Sequence, residues 1–118
     1  MVDSVPFTDV YVDDRTIENV ADVLASGRYV KGPVNETFEE QFADAIGTDH
    51  AVSVANGTAA LLLAMKSLGI GQGDEVFVPA HTYFATVSPV LELGATPRFV
   101  DIDPDRYTMS PEIGRAHV

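Results

Sequence analysis

The chain has 118 residues, 46% of them apolar and 21% charged, a size and mix that suit one packed core and no more. Seven basic against eighteen acidic side chains leave a net charge of −11, a field that repels a phosphate backbone and argues against nucleic acid as a partner. Cysteine is absent, no run of about 18 uncharged apolar residues occurs, and no basic start precedes an apolar stretch at the N-terminus; disulfides, thiolate metal sites, a membrane span and a secretory signal are therefore not expected, and a cytoplasmic location fits.

The first element falls over residues 13–27, where Ile17, Val20, Ala21 and Leu24 recur at i, i+3, i+4 and i+7 between leading acids and Gly27; it is an amphipathic helix. Residues 28–35 read as a loop, because Gly32-Pro33 interrupts helical and strand patterns alike. Phe38, Phe42 and Ile46, four apart and followed by Gly47, predict a second helix over 36–46 with an inward aromatic stripe. Residues 51–55 form a short apolar strand, Asn56-Gly57 turns the chain, and 58–68 is an almost continuously apolar helix expected to be buried on most sides. After a glycine-rich loop, 75–79 predicts a second strand, 83–93 a helix that Pro89 either kinks or delays, and 96–102 a third strand. Ser110, Pro111 and Glu112 stand in the order N-cap, N1 and N2 of a further helix.

Strands apolar on both faces, alternating with helices, predict an α/β fold with a mostly parallel sheet. The last six residues, Ile113 to Val118, break the amphipathic pattern and resemble the in-frame translation of a common sequencing adapter. The native sequence is therefore expected to cover residues 1–112, with 113–118 a non-native tail.

Among the residues that could carry chemistry, the most informative are those from Val52 to Ala60: strand, glycine turn, then a helix that starts with small residues. Unpaired amides at a helix start bind anions, Gly57 lets a phosphate approach the backbone, and Thr58 adds a hydroxyl donor. An ordinary cap by Asn56 is the commoner meaning of such residues. His81 and Tyr83 follow the second strand, where ligands gather in open sheets; either an aromatic there stacks on a flat ring, or Tyr83 and Phe84 pack half-buried and His81 is a surface residue. Asp101 and Asp103 could hold a metal, but the Pro104 that follows favours solvated turn acids. Gly69, Gly71 and Gly73 follow a helix and precede a strand, the reverse of a dinucleotide cradle, and no P-loop is present. The only lysines, Lys31 and Lys66, lie in a loop and on an apolar helix, neither placed like an activated amine.

Taken in order, these motifs form one set: Ser26-Gly27, Gly32-Pro33 and Phe38-Glu39; Asn56-Gly57-Thr58-Ala59-Ala60-Leu61; Gly73-Asp74-Glu75-Val76; Pro79 with Thr82-Tyr83; Gly94-Ala95 with Pro97; and Val100-Asp101-Ile102-Asp103. The set resembles the DegT/DnrJ/EryC1/StrS family of sugar aminotransferases over residues 6–112. The resemblance implies part of the large domain of an aspartate-aminotransferase-like fold, the type I fold of pyridoxal 5′-phosphate (PLP) enzymes, with helices on both faces of the sheet. It implies PLP as cofactor, an amino acid (usually glutamate) as amino donor, a nucleotide-linked keto sugar as acceptor, and a homodimer for the full-length parent. By the same resemblance Gly57 and Thr58 hold the cofactor phosphate, Tyr83 stacks on the pyridine ring, and Tyr29 and Lys31 lie near the sugar nucleotide.

The family's acid that pairs with the pyridine nitrogen and the lysine that binds the cofactor covalently belong beyond residue 118, so no catalytic residue is assigned and the chain alone is expected to be inactive. With sheet neighbours also encoded later, it is expected to leave open edges and to aggregate or stay partly molten. Two other readings share the early residues. One is a PLP-dependent sugar 3-dehydratase of the same family, in which histidine replaces that lysine. The other is a non-catalytic α/β module that binds a phosphate ligand or a partner protein.

Overall fold

A computed structural model describes residues 7–109 of the chain, which divides into two compact units after Ser53. The Ser110-Pro111-Glu112 helix start and the 113–118 tail lie outside the described residues.

The first unit carries two helices. Helix α1, Asp14–Ser26, starts where the Asp13 carboxylate accepts from the Thr16 amide at 2.8 Å and the Thr16 hydroxyl at 2.7 Å. These bonds, the hydroxyl's first, hold the Asp13 carboxyl below its ordinary range. Gly27 ends the helix at φ 69°, a left-handed turn that glycine adopts without a Cβ clash. Helix α2, Pro33–Ile46, starts three residues earlier than its apolar spacing predicts. The dipeptide read as a breaker is its start: Gly32 is the N-cap and Pro33 sits at N1, where the missing N–H is not needed. The Asn35 and Glu36 amides both donate to the Gly32 carbonyl.

The predicted strand over 51–55 is not one; these residues have no partner strand among the described residues. A strand exists only through its ladder, and here the Ser53 amide donates to the Glu39 carboxylate on α2 instead, at 2.7 Å.

The second unit begins with α3, Gly57–Ser67, followed by β1, Glu75–Pro79, a single 3-10 turn at Phe84–Thr86, α4, Ser88–Glu92, and β2, Thr96–Val100. The two strands run parallel, Glu75 opposite Thr96 through Pro79 opposite Val100, joined by the crossover that parallel pairing requires. Pro89 delays the helix, as one of the two expected outcomes: a 3-10 turn comes first, and α4 starts at Ser88 with the proline in its first turn. Strand β2 stops at Val100 and not at Ile102, because β1 has ended and only the Ala80 amide, donating to the Val100 carbonyl at 2.8 Å, extends the pairing.

The core gathers Val78 from β1, Val87 and Val90 from the turn and α4, and Ala95 ahead of β2, with Met65, Ile70 and Val76 partly buried against it. Helix α3 packs on α4 and the 3-10 turn, yet none of its residues is buried, contrary to the expectation of burial on most sides. Leu61 and Leu63 stay exposed, since two five-residue strands offer too little sheet to cover an eleven-residue helix.

Candidate functional site

The start of α3 carries the ordinary Asn56 cap and leaves two of its amides without a partner among the described residues. The Asn56 side chain accepts from the Ala59 amide at 2.9 Å, which closes the N3 position, and the Asn56 carbonyl accepts from Ala60. Among the described residues the amides of Gly57 and Thr58 donate to nothing, and the Thr58 hydroxyl has no partner. Two adjacent N–H groups and one hydroxyl are thus left at the positive end of a helix dipole. The first turn of α3 holds no acidic residue, whereas α1 and α2 carry Asp14 and Glu36 there, so no side chain of that turn competes for the positive end. A Cβ built on Gly57 meets nothing within 4 Å, which leaves the approach to these donors open. Donor set, dipole and clearance fit the phosphate of a PLP-type cofactor.

Tyr83 stands after β1 as the residue that caps the 3-10 turn, its carbonyl accepting from the Thr86 amide at 2.9 Å. The Thr82 and Thr86 hydroxyls bond each other across that turn at 2.9 Å. The Tyr83 side chain is 82% exposed, so it is free to lie on a ligand and is not half-buried packing. The 3-10 turn that Tyr83 leads into packs on α3, the helix that Gly57 and Thr58 begin. His81, two residues before, places its ring 6.4 Å from that of Tyr107.

Tyr29 and Lys31 belong to the first unit and line an open cleft of about 590 Å³ between the ends of α1 and α2. The Tyr29 hydroxyl donates to the Leu24 carbonyl at 2.9 Å, and the Lys31 ammonium lies 3.5 Å from the Glu39 carboxylate. Glu39 is the residue that motif reading quoted but gave no role. Its side chain is 14% exposed and accepts the Ser53 amide and hydroxyl, at 2.7 and 2.8 Å. The Ser53 amide, then its hydroxyl, then Lys31 hold the Glu39 carboxyl below its ordinary range. Among the turn acids, Asp103 is engaged by the Asp105 and Arg106 amides, at 2.8 and 3.0 Å. Lys66 is exposed in the last turn of α3.

The sequence model of the DegT/DnrJ/EryC1/StrS aminotransferase family matches residues 10–118. The chain belongs to that family. It is 49% identical over 112 residues to the dTDP-3-amino-3,4,6-trideoxy-alpha-D-glucose transaminase of Streptomyces venezuelae. It is 40% identical over 107 residues to the UDP-2-acetamido-2-deoxy-3-oxo-D-glucuronate aminotransferase of Pseudomonas aeruginosa. Each match takes in 91% of this chain and 30% of the relative, so the chain spans less than a third of the curated relatives' length. Among solved structures, a Streptococcus pneumoniae protein classed as a sugar aminotransferase superposes with TM-score 0.88 at 35% identity, over 97% of this chain and 29% of that one, in both its PMP form and its PLP form. The two-stranded parallel α/β unit is accordingly part of an aminotransferase fold.

Proposed function

We propose that this chain is the N-terminal part of a PLP-dependent aminotransferase that moves an amino group from an amino acid, glutamate being the expected donor, to the keto carbon of a nucleotide-linked sugar, as a cytoplasmic homodimer. The observation that carries the reading is the pair of unpartnered amides at Gly57 and Thr58, with the Thr58 hydroxyl, in a chain whose family is that of sugar aminotransferases. When bound, the coenzyme supplies an electron sink for chemistry at the amino carbon. The chain's own part is to hold and orient. Gly57 and Thr58 donate to the phosphate dianion, the α3 dipole favours its charge, and the exposed Tyr83 ring covers one face of the heterocycle. Tyr29 and Lys31 face the nucleotide sugar from their cleft.

Neither lysine of this chain serves as the covalent anchor: Lys31 is paired with Glu39, and Lys66 lies about 12 Å along α3 from Thr58, at the helical rise per residue. The 118-residue chain alone is therefore expected to transfer no amino groups.

The test is a PLP titration of the full-length enzyme and its Thr58→Ala and Gly57→Ala variants, followed by absorbance and by amino transfer to a nucleotide keto sugar. Loss of one charge-assisted bond should weaken PLP binding about 10- to 100-fold in T58A. Wild-type affinity in both variants would overturn the cradle. A full-length gene with histidine at the anchor position, yielding a dehydrated and not an aminated sugar, would replace the transferase by the dehydratase.

A further inference from the structure

Tyr107 is the one non-glycine residue with positive φ among the described residues, at 57°. That backbone is disfavoured for a residue with a large side chain, and it persists only where the surroundings fix it. Here they do. Strand β2 gives way to a short closed loop in which the Tyr107 amide donates to the Asp103 carbonyl at 2.8 Å and the Asp103 amide to the Thr108 carbonyl at 3.0 Å. The Asp103 carboxylate binds the Asp105 and Arg106 amides inside the same loop. Because β1 and β2 are parallel and paired to their last residues, with Ala80 adding one more bond to Val100, the loops that follow them leave the sheet side by side. The reversal at Tyr107 brings its ring 6.4 Å from that of His81, tilted by 54°, within the range of favourable aromatic pairs. His81 in turn lies two residues before Tyr83 on the segment that enters the 3-10 turn.

We infer that Tyr107 is a positioning residue: held in its left-handed conformation by the Asp103 loop, it braces His81 and so fixes the segment that presents Tyr83 to the cofactor ring. The inference rests on the reading of Tyr83 proposed above. It assigns Tyr107 a function in ligand affinity and none in the stability of the fold.

That separation makes it testable in the full-length enzyme. Tyr107→Gly removes the ring and at the same time relieves the backbone, since glycine takes positive φ freely. Its thermal midpoint should equal or exceed that of the wild type, while PLP affinity falls about three- to tenfold, the scale of one aromatic contact. His81→Ala should show the same loss, and the H81A/Y107G double variant should be no worse than either single one, because both changes break one contact. Tyr107→Phe keeps the ring and should bind within about twofold of wild type. Wild-type affinity in Y107G and H81A overturns the inference. So does a Y107G melting point that drops together with affinity, which marks a residue of the fold only. If G57A loses PLP while Y107G does not, the cofactor reading stands and this inference falls; if the wild-type enzyme binds no PLP, both fall.

Discussion

Asn56, Gly57 and Thr58 show how three adjacent residues divide one task. Asn56 satisfies the third amide of the helix and, among the described residues, leaves the first two without a partner, so the cap does not compete with the anion binding proposed for them. The substitutions Asn56→Ala and Gly57→Ala should separate them. N56A removes the cap and should lower stability by about 1 kcal/mol, read by urea denaturation of the full-length enzyme. G57A should leave stability unchanged or slightly raised, since its Cβ has room and alanine suits a helix better, yet weaken PLP binding by intruding on the phosphate. Glu39 offers a third residue-scale test. Its folded pKa is depressed by the Ser53 donors, so its contribution is complete above the ordinary glutamate range and is lost as pH falls through the lowered folded value. Glu39→Gln should flatten the acid limb of a stability–pH profile below about pH 5; an acid limb unchanged in E39Q would show that Glu39 does not contribute to it.

At the scale of elements, the helix caps and the strands at 75–79 and 96–100 were legible in the sequence, whereas the start of α2 and the conformation of residues 51–55 were not. Asp13, Gly27, Asn56 and Gly47 act where the chemistry of caps puts them, because a side-chain acceptor or a left-handed glycine works through neighbours within four residues. Gly47 ends α2 at φ 78° with its amide on the Ala43 carbonyl; Gly47→Ala should cost about 1 kcal/mol through backbone strain, again by denaturation. Pro33 shows the opposite failure: a residue that stops a helix from within starts one from N1, and only its place relative to Gly32 distinguishes the two. Residues 51–55 have the composition of a strand, but a strand is made by its partner, and the Ser53 amide has found a carboxylate instead.

For the molecule as a whole, the exposed apolar faces dominate behaviour. Phe38 and Phe42 pair at 5.8 Å between ring centroids, yet remain 54% and 49% exposed, and on α1 Ile17, Val20 and Leu24 are similarly open. The aromatic stripe of α2, expected to point inward, stays about half exposed, and Ala43 is the one buried residue of that helix. Contiguous apolar surface of this kind drives association, and both strands are edges of their sheet. The 118-residue chain in isolation should bind a hydrophobic dye such as ANS and form soluble aggregates, read by light scattering. A monomeric, cooperative thermal transition without dye binding would contradict this. No helix among the described residues is long and apolar enough to cross a membrane.

The sequence by itself determined the caps at Asp13, Gly27, Gly47 and Asn56, that 75–79 would be a strand, and that Gly57, Thr58 and Tyr83 lie at ends of elements, because each of these depends on residues close along the chain. Only the tertiary structure decided that the Gly57 and Thr58 amides stay free, that Glu39 takes the Ser53 amide from a missing strand partner, and that Tyr107 reaches back to His81. These are contacts between groups 14 to 26 residues apart, or the absence of such contacts. They follow from how parallel strands and packed helices bring distant segments together, and no local pattern encodes that.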